Sequence, residues 1–242
     1  MNRKSYKRYF VGIGILLLTS FLGKTESKAQ EVGLSFSYFV PKNGYVSTPV
    51  SPFSIRGVGF DLNRYMAIQT GFTLYRMSGL NIKDIDDFES DKPLLGPNFT
   101  TMVPLELVLQ FVGQSQEFRI KGGGFAFYGF ANKLNEGNID EAIREAEGWD
   151  VANSNFSFKH GLGLGIYFGA EYVIFVTRQW GLSLEANYFI GDADISLNGT
   201  YSGGTFGTNG ASDELFTREV DYPDSKVDYT GLEISIGILF GS

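Results

Sequence analysis

The sequence contains no cysteine and only one histidine, His160, among its 242 residues. Without cysteine there is no disulfide framework and no lipoprotein acylation site, although export is not excluded. Beyond the first 29 residues no apolar run approaches the roughly 20 residues that a helical membrane span needs. Any insertion into a membrane must therefore use strands. Positive charge is scarce as well. The formal net charge is −7, and residues 1–29 carry Arg3, Lys4, Lys7, Arg8, Lys24 and Lys28 against Glu26 alone, so the rest of the chain stands at −12. That balance disfavours a nucleic-acid partner.

What is abundant is aromatic and small: 22 Phe, 13 Tyr and 31 Gly. This composition suits β-structure more than helix bundles. The basic start, the apolar core Phe10–Gly23 and the small residues Ser27 and Ala29 read as a secretory signal peptide over 1–29, cleaved after Ala29. The apolar core is about 14 residues, too short for a helical anchor. Residues 30–242 then form one domain.

Period-two alternation runs through most of that domain and predicts eight strands. The clearest is Thr230–Phe240, where Leu232, Ile234, Ile236, Ile238 and Phe240 share one face and Glu233 lies on the other. The others are expected over 32–40, 54–62, 66–76, 101–112, 118–130, 156–173 and 180–190. In the second of these, Arg56 shares parity with the apolar Val58, Phe60 and Leu62. A bulge near Gly57 or Gly59 would resolve the conflict; otherwise Arg56 lies at the rim. Pro104 is expected at the start of its strand, where its missing N–H is tolerated.

The connections alternate between long (41–53, 77–100, 131–155, 191–226) and short (63–65, 113–117, 174–179). Three of the long ones, 77–100, 131–155 and 191–226, carry −3, −4 and −5, which accounts for the whole −12. Aromatics on the apolar faces gather near the two ends of the strands, among them Phe60, Phe111 and Trp180 at one end and Tyr38, Tyr128 and Tyr188 at the other. An even strand number, short turns at one end and long loops at the other predict an all-β fold. The expected form is an eight-stranded antiparallel up-and-down transmembrane β-barrel, with extracellular loops and periplasmic turns.

The V-P-L-E-L stretch at Val103–Leu107, G-L-G-L-G-I-Y-F-G-A-E-Y at Gly161–Tyr172, L-E-A-N-Y at Leu184–Tyr188 and the closing G-L-E-I-S-I-G-I-L-F resemble the OmpA/OmpX-like outer-membrane β-barrel family, including its PorT-like members. The resemblance implies residence in a Gram-negative outer membrane, contact with its lipids and lipopolysaccharide, and insertion by the barrel assembly machinery. Phe240 would be part of the C-terminal insertion signal. Members of such families serve as structural proteins, adhesins, small channels or secretion accessories, so place and fold are implied more firmly than task.

Candidate site residues are the charges on the faces expected to point inward: Glu106, Arg119, Lys121, Lys159, Glu171, Glu185 and Glu233. They describe either a polar pore or a mutually paired interior that fills the barrel. Eight strands leave a lumen just wide enough for side chains, which favours filling, with Gly161, Gly163 and Gly165 making room for Phe125, Phe127 or Phe189. His160 is the one conventional general base. The same-face neighbour at 162 is Leu, and Ser157 and Ser183 are expected on the other face, so no nucleophile is placed within its reach. Gly161–Gly165 lies within continuous alternation and is not a phosphate loop. Asp84–Asp91 lacks the glycine and terminal acid of an EF-hand. Asn138–Glu147 is expected as a short amphipathic helix capped by Asn138 and stopped by Gly148, and Ser202–Ala211 as a loop tip.

The expected role is therefore a non-enzymatic one in the envelope: structural, or surface contact through acidic outer loops. No catalytic residue, metal or cofactor is assigned. A small passive porin-like channel and an accessory of a protein secretion system are the alternatives. A soluble lipocalin-type barrel is disfavoured, because both signs of charge lie opposite the uniformly apolar face.

Overall fold

A computed structural model describes residues 32–206 and 215–241. The expected signal peptide lies outside the described residues, as do residues 207–214, which include the second half of the expected loop tip; its first residues, 202–204, belong to a strand. The elements are β1 (Val32–Pro41), β2 (Gly44–Tyr45), β3 (Thr48–Asn63), β4 (Met66–Met77), β5 (Gly79–Leu80), β6 (Ile82–Lys83), β7 (Asn98–Val112), β8 (Gln116–Phe130), α1 (Glu136–Glu147), β9 (Val151–His160), β10 (Gly163–Phe175), β11 (Trp180–Gly204), β12 (Phe216–Tyr222), β13 (Lys226–Asp228) and β14 (Gly231–Phe240).

Eight of the strands close into a ring in the order β1, β3, β4, β7, β8, β10, β11, β14, with β14 pairing back onto β1 and every pairing antiparallel. The chain's last strand lies between its first and β11: Val32 and Trp180 both face Phe240 in register. Strand alternation does what the pleat requires. Along β14, Leu232, Ile234, Ile236, Ile238 and Phe240 are exposed, whereas Glu233 and Ser235 are buried. The outside of the ring is an apolar band, and the inside holds nearly all the buried polar groups.

Arg56 points into the ring. Gly57 has φ +74°, and the β3–β4 register shifts between Ile55 and Val58. This bulge switches parity, so Arg56 is buried while Phe60 and Leu62 remain on the outer face. Pro104 is not at a strand start, because β7 begins six residues earlier, at Asn98. The β4–β7 ladder skips Val103 and Pro104, and Thr70 donates its hydroxyl to the Pro104 carbonyl at 2.6 Å.

Two further differences concern the long-loop end. The expected strand 156–173 is two strands, broken at Gly161–Leu162. β10 stays in the ring, and β9 leaves it to pair with the far half of β11. Segment 191–226 is not a loop. β11 continues unbroken for 25 residues and becomes the centre of a β9–β11–β12 sheet, while β13 bridges β11 to β6. With β2–β5 and α1, these elements form a folded cap over one end of the ring. The helix is capped by Asn135, not Asn138: the Asn135 side chain accepts from the Asn138 N–H, and Gly148 ends the helix at φ +70°. Ile139, Ala142 and Ile143 are its buried face.

Candidate functional site: the filled lumen and the outer cap

Three cross-strand rows build the lower lumen. Gln110, Arg119, Glu171, Glu185, Ser235 and Ser37 follow one another across the ring. So do Lys121, Gly169, Asn187 and Glu233, and likewise Gln69, Glu106, Gly123 and Tyr167. A Cβ at Gly169 would overlap Asn187 Oδ1, so the missing side chain is what admits the Asn187 amide.

The charges in these rows are largely paired. Arg119 donates to Glu117 at 2.6 Å and to Glu171 at 3.4 Å. Lys121 lies 2.8 Å from Glu171 and 3.2 Å from Glu185. Arg56 donates to Glu233 at 2.7 Å and sits 3.7 Å from Glu185. Asn187 donates to Glu185 at 2.8 Å and to Glu233 at 2.9 Å. Beside them runs a hydroxyl chain in which Ser37 is 2.7 Å from Ser235 and 2.9 Å from Ser54, and Ser54 is 2.6 Å from Thr73. Tyr167 donates to Glu106.

Of the sequence-derived candidates, Glu106, Arg119, Lys121, Glu171, Glu185 and Glu233 thus lie together in the lumen. Lys159 does not. It is on β9, outside the ring and exposed, because the chain leaves the wall at Gly161. Phe240 is 48% exposed on the apolar band. Sequence reading missed Arg56, Glu117, Asn187 and Tyr167 as members of the network. For Arg56 the signal was Gly57, and for Glu117 it was a strand that starts two residues before the first aromatic.

Above the charges the lumen is aromatic. Tyr229 stacks between Phe39 (4.5 Å) and Phe127 (4.4 Å), and Phe189 packs on Phe125 and Tyr167, each at 4.9 Å. Glycine makes the space: a Cβ at Gly163 would overlap the Phe127 ring, and one at Gly165 the Phe125 ring. This plug is continuous with the cap's apolar core, which contains Leu80, Ile82, Leu94, Leu95, Ile139, Leu197, Tyr201 and Tyr222. Polar contacts stitch the cap edges. Lys92 donates to Glu141 at 2.6 Å, Arg218 to Glu147 at 2.6 Å, Tyr222 to Asp87 at 2.6 Å, and Asp140 accepts from Ser154. The contact with Lys92 holds the Glu141 carboxyl below its ordinary pKa, and burial together with Asp87 raises that of Tyr222. At the opposite, short-turn end the ring opens into a vestibule of about 890 Å³, whose lining includes Gln69, Gln110, Glu117 and Arg119.

His160 ends β9 with its ring edge-on to Tyr128 at 5.7 Å, and its Nδ1 is buried without a hydrogen-bond partner among the described residues. Burial pushes its pKa below the ordinary 6.5, only partly opposed by the Gly161 backbone. A depressed folded-state pKa means that the unfolded chain binds the proton more readily. Cap stability from His160 is therefore fully present above pH 6.5 and falls as the pH drops towards the folded value. An NMR titration of the His160 ring is expected to show a midpoint below 6.5, and His160→Asn is expected to remove that part of the pH dependence.

A closed ring of eight antiparallel strands, short turns at one end, long connections at the other and an apolar outer band define a β-barrel of the outer-membrane type. No family model matches the chain, and no curated protein matches its sequence. Among solved structures, the chain is similar to the outer membrane protein OprG from Pseudomonas aeruginosa. That match has 13% identity and a TM-score of 0.50, and covers 88% of this chain and 96% of that one. The likeness is one of fold. A major outer membrane protein from Thermus thermophilus (10% identity, 87% of this chain and 98% of that one) superposes with a TM-score of 0.39.

Proposed function

We propose that the chain is an integral outer-membrane protein with a closed lumen, whose folded extracellular cap makes contacts at the cell surface without enzymatic activity. The observation that carries this reading is the continuity of the aromatic plug with the cap core. From Phe125 and Tyr229 up to Leu94, Ile139 and Tyr222, the axis of the barrel is filled with packed apolar side chains. Below them most of the charges are committed to one another. A rigid cap rooted in a filled barrel suits display better than passage.

The same proposal includes the OmpA/OmpX-like, PorT-like relationship, contacts of the apolar band with membrane lipid and lipopolysaccharide, and recognition of the terminal strand by the barrel assembly machinery.

Purified protein, shown to be folded by heat-modifiable gel mobility, is expected to give no steady conductance in planar bilayers and no liposome swelling. Discrete, reproducible channels would overturn the closed lumen. Recovery as a soluble periplasmic protein would overturn the membrane assignment. A deletion strain that loses export of other proteins while keeping an intact envelope would move the reading to a secretion accessory.

A further inference from the structure

The lumen is not charge-balanced. Glu106, Glu117, Glu171, Glu185 and Glu233 are each at most 4% exposed, and face only three buried bases, Arg56, Arg119 and Lys121. Two negative charges are in excess among these buried groups, with Arg64, Arg178 and Asp61 further out on the vestibule wall. Uncompensated charge in such surroundings is costly, so something positive must accompany it.

The position of the imbalance is legible. Glu117, Glu171, Glu185 and Glu233 each have a basic partner. Glu106 has none within 4.0 Å among the described residues, and receives only the Tyr167 hydroxyl. Its cross-strand neighbour is Gln69, which is 5% exposed and whose Oε1 is buried with no hydrogen-bond donor among the described residues. The two flanking positions of the row are Gly59 and Gly123, which bring no side chain to compete for the space. A carboxylate that receives one phenol and, at the register position beside it, a buried amide oxygen without a donor thus share one row of the lumen. Gln69 also lines the vestibule open to the short-turn end, which supplies an entry path and water.

We propose that Glu106, Gln69 and Tyr167 hold a monovalent metal cation, sodium or potassium, which enters through this vestibule. Oxygen donors suit a hard cation. A dedicated calcium site uses six to eight oxygens with several carboxylates, and no group of three acidic, histidine or cysteine residues converges among the described residues.

The test is thermal unfolding of the full folded barrel in micelles, in sodium, potassium or choline chloride at equal ionic strength. Sodium or potassium is expected to raise the melting temperature over choline by on the order of 5 °C at roughly a hundredfold excess over the dissociation constant. Glu106→Gln keeps an acceptor for Tyr167, and Gln69→Met keeps the volume; both are expected to fold and to lose the response. The sodium NMR line is expected to broaden with the parent protein and not with Glu106→Gln. Equal melting in all three salts would overturn the proposal, as would the same salt response in parent and Glu106→Gln. An infrared band of a protonated carboxyl that disappears in Glu106→Gln, without any cation response, would assign the missing charge to a proton and overturn it as well. None of these readouts depends on whether the barrel conducts.

Discussion

Arg56→Met is expected to lower the unfolding free energy of the barrel by about 3–5 kcal/mol in a urea titration in micelles or vesicles. The Arg56 guanidinium is 4% exposed, donates to Glu233 at 2.7 Å and approaches Glu185 at 3.7 Å. It also stands 3.4 Å from the hydroxyls of Ser37 and Ser54. Removing it leaves Glu233, fully buried, without its base and held by the Asn187 amide, in a lumen already rich in carboxylates. Most of the loss comes from the stranded acid rather than from the pair itself. Arg56→Met combined with Glu233→Gln should therefore recover a large part of it, because replacing both members of a buried pair is often nearly neutral. A loss in the single variant below about 1 kcal/mol would mean that the pair behaves like an exposed one, hydrated from the vestibule.

Phe125→Ala is expected to cost about 3–5 kcal/mol, at the upper part of that range, with conductance still absent. The cost of truncating a core aromatic depends on how far its neighbours can collapse into the gap. Here they have little to move. The nearest wall positions are Gly165 and Gly191, where an added Cβ would overlap the Phe125 ring. The other neighbours are held by one another, Phe127 by Tyr229 and Tyr167 by Phe189, with Phe39 against Phe189 and Tyr229. Conductance should stay absent because Tyr229 still stacks between Phe39 and Phe127, and the cap core still lies above. Gly165→Leu alone should destabilise by overpacking, since its Cβ would meet the Ile190 carbonyl oxygen as well as the Phe125 ring. Discrete channels in Phe125→Ala would show that this single ring, rather than the whole column, seals the barrel.

The barrel wall was legible in the sequence because its rule is simple. Lipid-side grease and lumen-side polarity alternate with period two, as they do without interruption from Leu232 to Phe240. The cap was not legible by that rule, because outside the membrane the rule inverts. In β11 the odd-numbered residues face inward throughout. Below Gly191 they are Glu185, Asn187 and Phe189, mostly polar; above it they are Ala193, Ile195, Leu197 and Tyr201, all buried and apolar or aromatic. The even-numbered side changes from Leu182, Leu184, Tyr188 and Ile190 to Asp192, Asp194, Ser196 and Asn198. The outward apolar pattern thus ends at Ile190, although the strand continues and only its surroundings change.

The break at Gly161–Leu162 is a different case. The alternation of Phe156, Phe158 and His160 continues into Leu162 and Leu164 without a slip, so nothing in the period marks where the chain leaves the wall. Arg56 was half legible: its parity was wrong for a lipid-facing residue, and Gly57 was one of two glycines that could correct it. The filled lumen could be argued from barrel width, but not the identity of its partners. Glu117 falls in a span whose composition and spacing match a turn, and Lys159 in one whose alternation matches a stave.

β11 is a single beam. Its 25 residues, at about 3.3 Å each, reach roughly 80 Å along the strand, against a hydrocarbon thickness of about 30 Å. It is bonded to β10 and β14 along its lower half and to β9 and β12 along its upper half. Along β11 the strand is unbroken from wall to cap, so a tug on the cap reaches the wall as shear spread over two hydrogen-bond ladders at once. The cap is fastened to the cell as a mast is stepped through a deck.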